Sequence, residues 1–194
     1  MIFGGHMGRI VVTEFVSLDG VVEDPGGSEN FKYGGWSFEF SRGDEGDKFK
    51  LDETLAADAQ LLGRVTYEGF AQAWPSREGE FADRFNSMPK YVVSRTLTHP
   101  EWTNTTVLGG DLTESVAMLK ERHDGDIVVH GSVSVAQALI ENNLVDELRL
   151  MVFPVILGQG KRLFGETSDK KALRLAESKT VGDSVTILVY RPTG

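Results

Sequence analysis

The chain has 194 residues, a formal net charge of −9 and no cysteine. This acidic balance argues against a general nucleic-acid-binding protein, because neutralising phosphates needs a basic surface. The lack of cysteine excludes disulfides, thiolate zinc sites and thiol catalysis, and no apolar run reaches the ~20 residues of a membrane helix. We predict one domain over residues 8–191, preceded by an extension, 1–7, that is disordered or added to the natural chain. The start carries no secretion signal pattern, and we predict a cytoplasmic protein.

The first two-thirds of the chain alternates predicted strands and helices. The predicted strands are Arg9–Val16, Ala59–Leu62, Tyr91–Ser94, Thr105–Leu108 and Ile127–His130. The predicted helices are Asp47–Ala57 with Leu51 and Leu55 one turn apart, Val65–Ala71, Phe81–Met88, a helix capped by Asp111 that runs to about Arg122, and Val133–Glu141. Two turn-rich segments, Asp24–Tyr33 and Trp74–Glu80, are predicted to be long loops.

The last third contains predicted strands without a convincing helix between them. These strands are Glu147–Val155, Leu173–Lys179 and Val185–Tyr190. Alternating strands and helices indicate a largely parallel sheet covered on both faces, and the final strands add antiparallel neighbours. We therefore predict an α/β protein with a three-layer α/β/α architecture.

Two predicted strands end in a glycine that directly precedes a helix. One joint reads Gly63-Arg64-Val65-Thr66 and the other reads Gly131-Ser132-Val133. Ligands of open α/β sheets bind at the carboxyl ends of the strands, and a helix N-terminus suits a phosphate. Arg64 can also pair with phosphate oxygens. Alternatively, both glycines form ordinary tight turns, and Ser132 or Thr66 merely caps a helix.

A third candidate is Ser94-Arg95-Thr96, where an arginine stands between two hydroxyl groups at a strand end. This cluster suits a 2′-phosphate, although without the two glycine joints a solvated strand end with one exposed arginine would be the better explanation. The Rossmann and Walker A fingerprints are absent, and the four histidines lack metal-ligand spacing. We therefore predict no metal site.

The sequence resembles a known reductase superfamily at several separate places. The run Leu61-Leu62-Gly63-Arg64-Val65-Thr66-Tyr67 resembles the Met-Gly-Arg-x-Thr-Trp segment of dihydrofolate reductases. A closer resemblance, to the reductase domain of bacterial riboflavin biosynthesis (the RibD C-terminal domain), is carried by Ser17-Leu18-Asp19-Gly20 and by Leu144-Val145-Asp146-Glu147-Leu148-Arg149-Leu150 with Pro154, Gly158, Gly160 and Leu163-Phe164. The chain is identified as a member of the dihydrofolate-reductase-like superfamily, in its riboflavin-reductase branch, over about Gly8–Tyr190.

This resemblance implies a mixed, mostly parallel eight-stranded sheet with NADPH along its carboxyl edge, and a homodimer. The cofactor phosphates would then meet Gly63-Arg64-Val65-Thr66, and Gly131-Ser132-Val133 would wrap the pyrophosphate. Ser94 and Arg95 would lie near the 2′-phosphate and favour NADPH over NADH. The loop Ser17–Val21, with Asp19 as a substrate contact, would cover the nicotinamide.

Reducing a C=N bond with hydride also needs a proton for the nitrogen. Dihydrofolate reductases supply it through a carboxylate on the helix before the Gly-Arg motif. Counting back from Gly63 places Asp47 at that position, with Leu51 one turn later facing the pocket, and Asp44 is a second candidate. Alternatively, these acids form a solvated helix start, where acidic side chains are favoured in any case.

The zinc deaminase signature of the bifunctional riboflavin enzyme is missing. Trp36 and nearby aromatic residues can roof a flat ring or simply anchor a loop. We predict an NADPH-dependent reductase of a pterin-, folate- or aminopyrimidine-like small molecule, with neither nucleic acid nor membrane as partner. The alternative is a non-catalytic nucleotide-binding or regulatory protein on the same fold. Leu148–Val155 is a candidate dimer surface that sequence alone does not distinguish from core.

Overall fold

The computed structural model describes residues 7–193. Its strands are β1 (Arg9–Ser17), β2 (Ala57–Gly63), β3 (Lys90–Val93), β4 (Thr105–Leu108), β5 (Asp126–His130), β6 (Glu147–Phe153), β7 (Leu173–Val181) and β8 (Val185–Pro192). Its helices are α1 (Gly43–Ala56), α2 (Arg64–Ala73), α3 (Glu80–Ser87), α4 (Leu112–Arg122) and α5 (Val133–Glu141), with a short 3₁₀ helix at Trp36–Glu39. The predicted order of elements is confirmed. The predicted extension lies, except for Met7, outside the described residues.

All eight strands form one sheet in the order β4-β3-β2-β5-β1-β6-β8-β7. The six strands from β4 to β6 run parallel to their neighbours, whereas β8 is antiparallel to both β6 and β7. The predicted mixed, mostly parallel sheet is therefore confirmed. Because six strands point the same way, their carboxyl ends meet at one edge, where open α/β sheets bind ligands.

Helices cover both faces of this sheet and complete the predicted three layers. Successive residues of a strand point to opposite faces, and β1 illustrates the division. Ile10 and Val12 pack in the core beneath α4 and α5, whereas Val11 packs on the other side with Tyr67 of α2 and Phe85 of α3. None of the described helices combines the length and apolar character that crossing a membrane requires.

Helix α1 differs from its prediction in both its start and its buried face. It begins at Gly43, four residues earlier than predicted. The predicted apolar stripe is wrong, because Leu55 is 37% exposed. The side turned toward the sheet instead carries Lys50 and Glu53, both buried. These charged side chains face inward because they find partners of opposite charge there.

Strand β6 settles the alternatives left open for Leu148–Val155. It lies between β1 and β8, and most of its residues are buried. Leu148 and Leu150 belong to the core beneath α4 and α5. This strand is therefore core, and the exposed edge of the sheet on this side is β7, whose residues are exposed from Leu173 to Thr180.

Candidate cofactor and active site

The two glycine joints predicted to bind phosphate lie side by side at the carboxyl edge. Strands β2 and β5 are neighbours, and the backbone N–H of Gly63 donates to Oγ of Ser132 over 2.9 Å. In the other direction, Oγ1 of Thr66 donates to the backbone oxygen of Gly131 over 3.0 Å. The structure therefore brings both joints together into one site.

The two joints favour glycine for different reasons. Gly131 has φ +60°, a backbone conformation that side chains other than glycine rarely adopt. A Cβ at Gly63 would lie 3.3 Å from Val135 Cγ2, a tight contact between the two joints. Glycine thus allows both the turn at β5 and the close approach of the two strand ends.

Both helices that follow the joints begin without a side-chain cap, so the alternative in which Ser132 or Thr66 merely caps a helix is wrong. Oγ of Ser132 donates to the carbonyl of His130, and α2 and α5 have no capping hydrogen bond. By contrast, Asp111 caps α4 by accepting from the N–H of Glu114 over 3.0 Å. First-turn N–H groups of α2 and α5 thus remain for an anion.

Two arginines flank these helix starts. Arg64 is 46% exposed at its side chain and pairs with Glu68 of the same helix over 2.9 Å. Such an exposed pair is worth little free energy, so a phosphate can replace it. Arg95 is exposed at the end of β3, next to β2. Ser94 forms the turn there, since its Oγ accepts from the backbone N–H of Thr96 over 3.1 Å.

Asp19 fastens the loop after β1 to the segment after β6. Its carboxylate accepts hydrogen bonds from Ser17 Oγ (2.7 Å) and from the N–H groups of Leu157 (3.1 Å) and Gly158 (2.9 Å). Desolvation alone would raise the pKa of Asp19, but these hydrogen bonds outweigh it and lower the pKa to about 2. Asp19 thus holds the loop in place, and its contact with a substrate stays a prediction.

Trp36 lies in the interior, whereas Leu51 is only partly buried. Trp36 is 1% exposed, and its ring packs edge-on against Phe153. Its Nε1–H donates to the backbone oxygen of Glu23 over 2.8 Å. The indole therefore anchors the loop predicted at Asp24–Tyr33, and the face of the indole ring is not open to a ligand. Leu51 is half-buried on α1.

The predicted acids lie on the exposed side of α1. The side chain of Asp47 is 64% exposed, and its carboxylate accepts from Nε of Arg42 over 2.5 Å. Asp44 is exposed in the first turn of the helix. The structure gives neither carboxylate a contact with the glycine joints, and both remain predictions as proton donors.

Sequence reasoning missed Glu14, a buried carboxyl group within β1. Glu14 is 5% exposed, and its Oε1 has no hydrogen-bond partner among the described residues. Desolvation raises its pKa to about 8. One signal was present in the sequence. Alternate residues of a strand point to the same face, and Glu14 falls in the same alternating series as Ile10, Val12 and Val16, which are core residues.

Comparison with known proteins agrees with this architecture. The sequence matches the RibD C-terminal domain family over residues 9–187. It is 30% identical over 192 residues to the uncharacterized protein YyaP of Bacillus subtilis strain 168, covering 96% of each chain. It is 27% identical over 176 residues to the uncharacterized protein YwjB of the same strain, covering 91% of this chain and 94% of YwjB.

Solved structures show the same fold at lower identity. A Shewanella sp. PV-4 protein provisionally assigned to riboflavin biosynthesis has a TM-score of 0.78 and 22% identity, covering 96% of this chain and 99% of its own. Dihydrofolate reductase from Enterococcus faecalis, solved with NADP(H), has a TM-score of 0.59 and 16% identity, covering 98% and 99%. The chain therefore has the dihydrofolate-reductase-like fold and belongs to the RibD C-terminal domain family.

Proposed function

We propose that this protein is an NADPH-dependent reductase that transfers hydride to a C=N or related bond of a small heterocycle. One observation carries the proposal: two uncapped helix starts lie side by side at the carboxyl edge of the sheet, with Arg64 and Arg95 exposed beside them. Paired N–H clusters and arginines are what a dinucleotide with several phosphates needs. Family membership supports the same class of activity.

Different residues at the carboxyl edge of the sheet would bind different phosphate groups of NADPH. N–H groups of Val65 and Thr66, with the Arg64 guanidinium, would bind phosphate oxygens at α2. At the second joint, backbone N–H groups of Gly131, Ser132 and Val133 would wrap the pyrophosphate. Ser94 and Arg95 would bind the 2′-phosphate.

Bound NADPH would supply the hydride from its reduced nicotinamide ring. The loop after β1, held by Asp19, would cover that ring and exclude water from the reacting atoms. We propose a pterin-, folate- or aminopyrimidine-like ring as the substrate. The exposed positions of Asp44 and Asp47 favour the alternative of a nucleotide-binding protein without turnover, unless another group supplies the proton.

Fluorescence titration of the purified protein with NADPH and NADH tests the function. We expect NADPH to bind at sub-millimolar concentration and NADH much more weakly, because NADH lacks the 2′-phosphate. Failure of both nucleotides to bind would contradict the proposal. If both bind equally, the assignment of Ser94 and Arg95 to the 2′-phosphate is wrong.

Two arginine variants should separate the phosphate sites. Arg64→Ala should weaken NADPH and NADH alike, by roughly 1.5–3 kcal/mol or 10- to 150-fold, as expected for a hydrogen bond to a charged group. Arg95→Ala should weaken NADPH but leave NADH unchanged. Lys48→Ala removes an exposed charge that pairs with Asp52 on α1, and it should change neither affinity. Unchanged NADPH affinity in Arg64→Ala would contradict its assignment.

We also propose a cytoplasmic homodimer that forms along β7. This nine-residue edge strand is almost fully exposed and displays Leu173 and Leu175. Long exposed edges of this kind tend to pair with another chain unless they are protected. Light scattering after size-exclusion chromatography should give a mass of two chains for the wild-type protein. The Leu175→Lys variant should have the mass of a single chain. A monomeric wild-type protein would contradict the proposal.

A further inference from the structure

Glu14 lies level with the second glycine joint. The residue before it, Thr13, pairs with His130 on the neighbouring strand β5, so Glu14 and Gly131 follow at the same height. The backbone of Gly131 is close enough to oppose the rise in the pKa of Glu14. Glu14 therefore sits one strand beyond the joint to which we assign the pyrophosphate.

The strand order makes this the position where a bound dinucleotide would end. The proposed 2′-phosphate site is on β3, the phosphate sites are on β2 and β5, and the next strand in the row is β1. Three strand spacings, roughly 14 Å, separate β3 from β1. A nucleotide extended along this row from its 2′-phosphate would bring its nicotinamide to β1 and hence to Glu14.

The surroundings of Glu14 keep a proton on its carboxyl group. The charged groups that act on it are Lys50 and Glu53 from α1 and Glu29 from the long loop. The Lys50 ammonium binds Glu53 Oε1 at 2.5 Å and Thr13 Oγ1 at 2.8 Å. Thr13 and Glu14 are successive residues of a strand and point to opposite faces of the sheet, so Lys50 forms no ion pair with Glu14. Burial therefore dominates and raises the pKa of Glu14 to about 8, which leaves it largely protonated at pH 7.

We propose that Glu14, rather than Asp44 or Asp47, holds the proton consumed by the reduction, where the nicotinamide would reach β1. The inference rests on the proposed function. As the substrate carbon accepts a hydride from NADPH, Glu14 would give its proton to the substrate nitrogen, directly or through one water. The C=N π bond and the Glu14 O–H bond break while C–H and N–H bonds form. NADP⁺ and a Glu14 carboxylate remain, and solvent then restores the proton.

Proton release on nucleotide binding tests this placement without a substrate. The oxidised nicotinamide carries a positive charge and the reduced ring does not, so NADP⁺ should lower the pKa of a nearby carboxyl group. We expect NADP⁺ binding at pH 7 to release a fraction of a proton approaching one, and NADPH binding to release far less. Calorimetry in two buffers of different ionisation enthalpy measures this difference. The affinity for NADP⁺ should also rise with pH, by up to tenfold per unit, between pH 6 and 8.

Matched variants assign the proton to a residue. The Glu14→Gln variant, whose side chain has nearly the same shape, should release the same amount of protons on binding NADP⁺ as on binding NADPH. Its affinity for NADP⁺ should no longer depend on pH. Asp47→Asn should behave as the wild type in both measurements. Infrared spectra should show a protonated carboxyl band at pH 7 that Glu14→Gln lacks. Equal release in the wild type, or a difference that survives in Glu14→Gln, would overturn the inference while leaving NADPH binding intact. Failure to bind either nucleotide would instead contradict the proposed function.

Discussion

Replacing Arg149 by methionine should lower the free energy of unfolding by about 3 kcal/mol. Arg149 joins carboxylates from three elements of the fold. Its guanidinium lies 2.7 Å from Asp126 on β5, 2.7 Å from Glu147 on β6 and 3.3 Å from Glu53 on α1. Removing one partner of a buried ion pair typically costs 3–5 kcal/mol, because the remaining charge stays buried.

The loss of unfolding free energy in Arg149→Met should be at the low end of about 3–5 kcal/mol, because each of the three carboxylates keeps another positively charged partner. Lys50 remains beside Glu53, while Arg9 remains beside Asp126 and Glu147. Urea denaturation at pH 7 measures the loss, and a decrease of about 6–12 °C in melting temperature should accompany it. Lys48→Met breaks an exposed pair with Asp52 and should change stability by less than about 1 kcal/mol. Equal effects of the two variants would contradict a cooperative buried network.

The stability of the wild-type protein should fall as the pH rises from 6.5 to 8, and Glu14→Gln should abolish this fall. The pKa of Glu14 is about 8 in the folded protein against 4.5 as the ordinary value. Below pH 4.5 the carboxyl is protonated in both states. Between 4.5 and 8 only the unfolded chain loses the proton, so the Glu14 contribution declines by up to about 1.4 kcal/mol per pH unit.

His130 contributes with the opposite sign over a different window. Burial lowers its pKa to about 3 from 6.5, so the unfolded chain binds the extra proton and stability falls as the pH decreases below 6.5. Between pH 4.5 and 6.5, Glu14 and His130 change the stability in opposite directions as the pH rises. Above pH 6.5, only Glu14 of these two residues changes it.

Denaturation of Glu14→Gln and wild type across pH 4–9 checks this balance. At pH 8 the variant should be more stable than the wild type by roughly 3–5 kcal/mol relative to their difference at pH 4.5. Glu45→Gln removes an exposed carboxylate that pairs with Lys179 and should follow the wild-type profile. A stability difference between Glu14→Gln and wild type that does not change with pH would show that Glu14 is ionised in the folded protein.

Local sequence signals determined the order of strands and helices in this protein. Asp111 marked the start of α4, and it caps that helix as predicted. The bounds predicted for Thr105–Leu108 and Val133–Glu141 match β4 and α5. Such signals act within a few residues, since caps, turns and hydrophobic periodicity are properties of a short segment. The same signals identified Gly63 and Gly131 as strand ends that precede helices, and the sheet order then placed them together.

Only the tertiary structure decided which side chains of these segments face the interior. On α1 the sequence favoured Leu51 and Leu55, but the buried side carries Glu53, whose partner Arg149 is 96 residues away. The exposure of Asp47 follows from the same rotation of the helix. Burial, charge and protonation depend on the groups that packing brings near, and those groups are distant in sequence. For this reason the sequence by itself determined the fold and the glycine joints. The raised pKa of Glu14, in contrast, depends on its burial in β1 between β5 and β6, which only the tertiary structure shows.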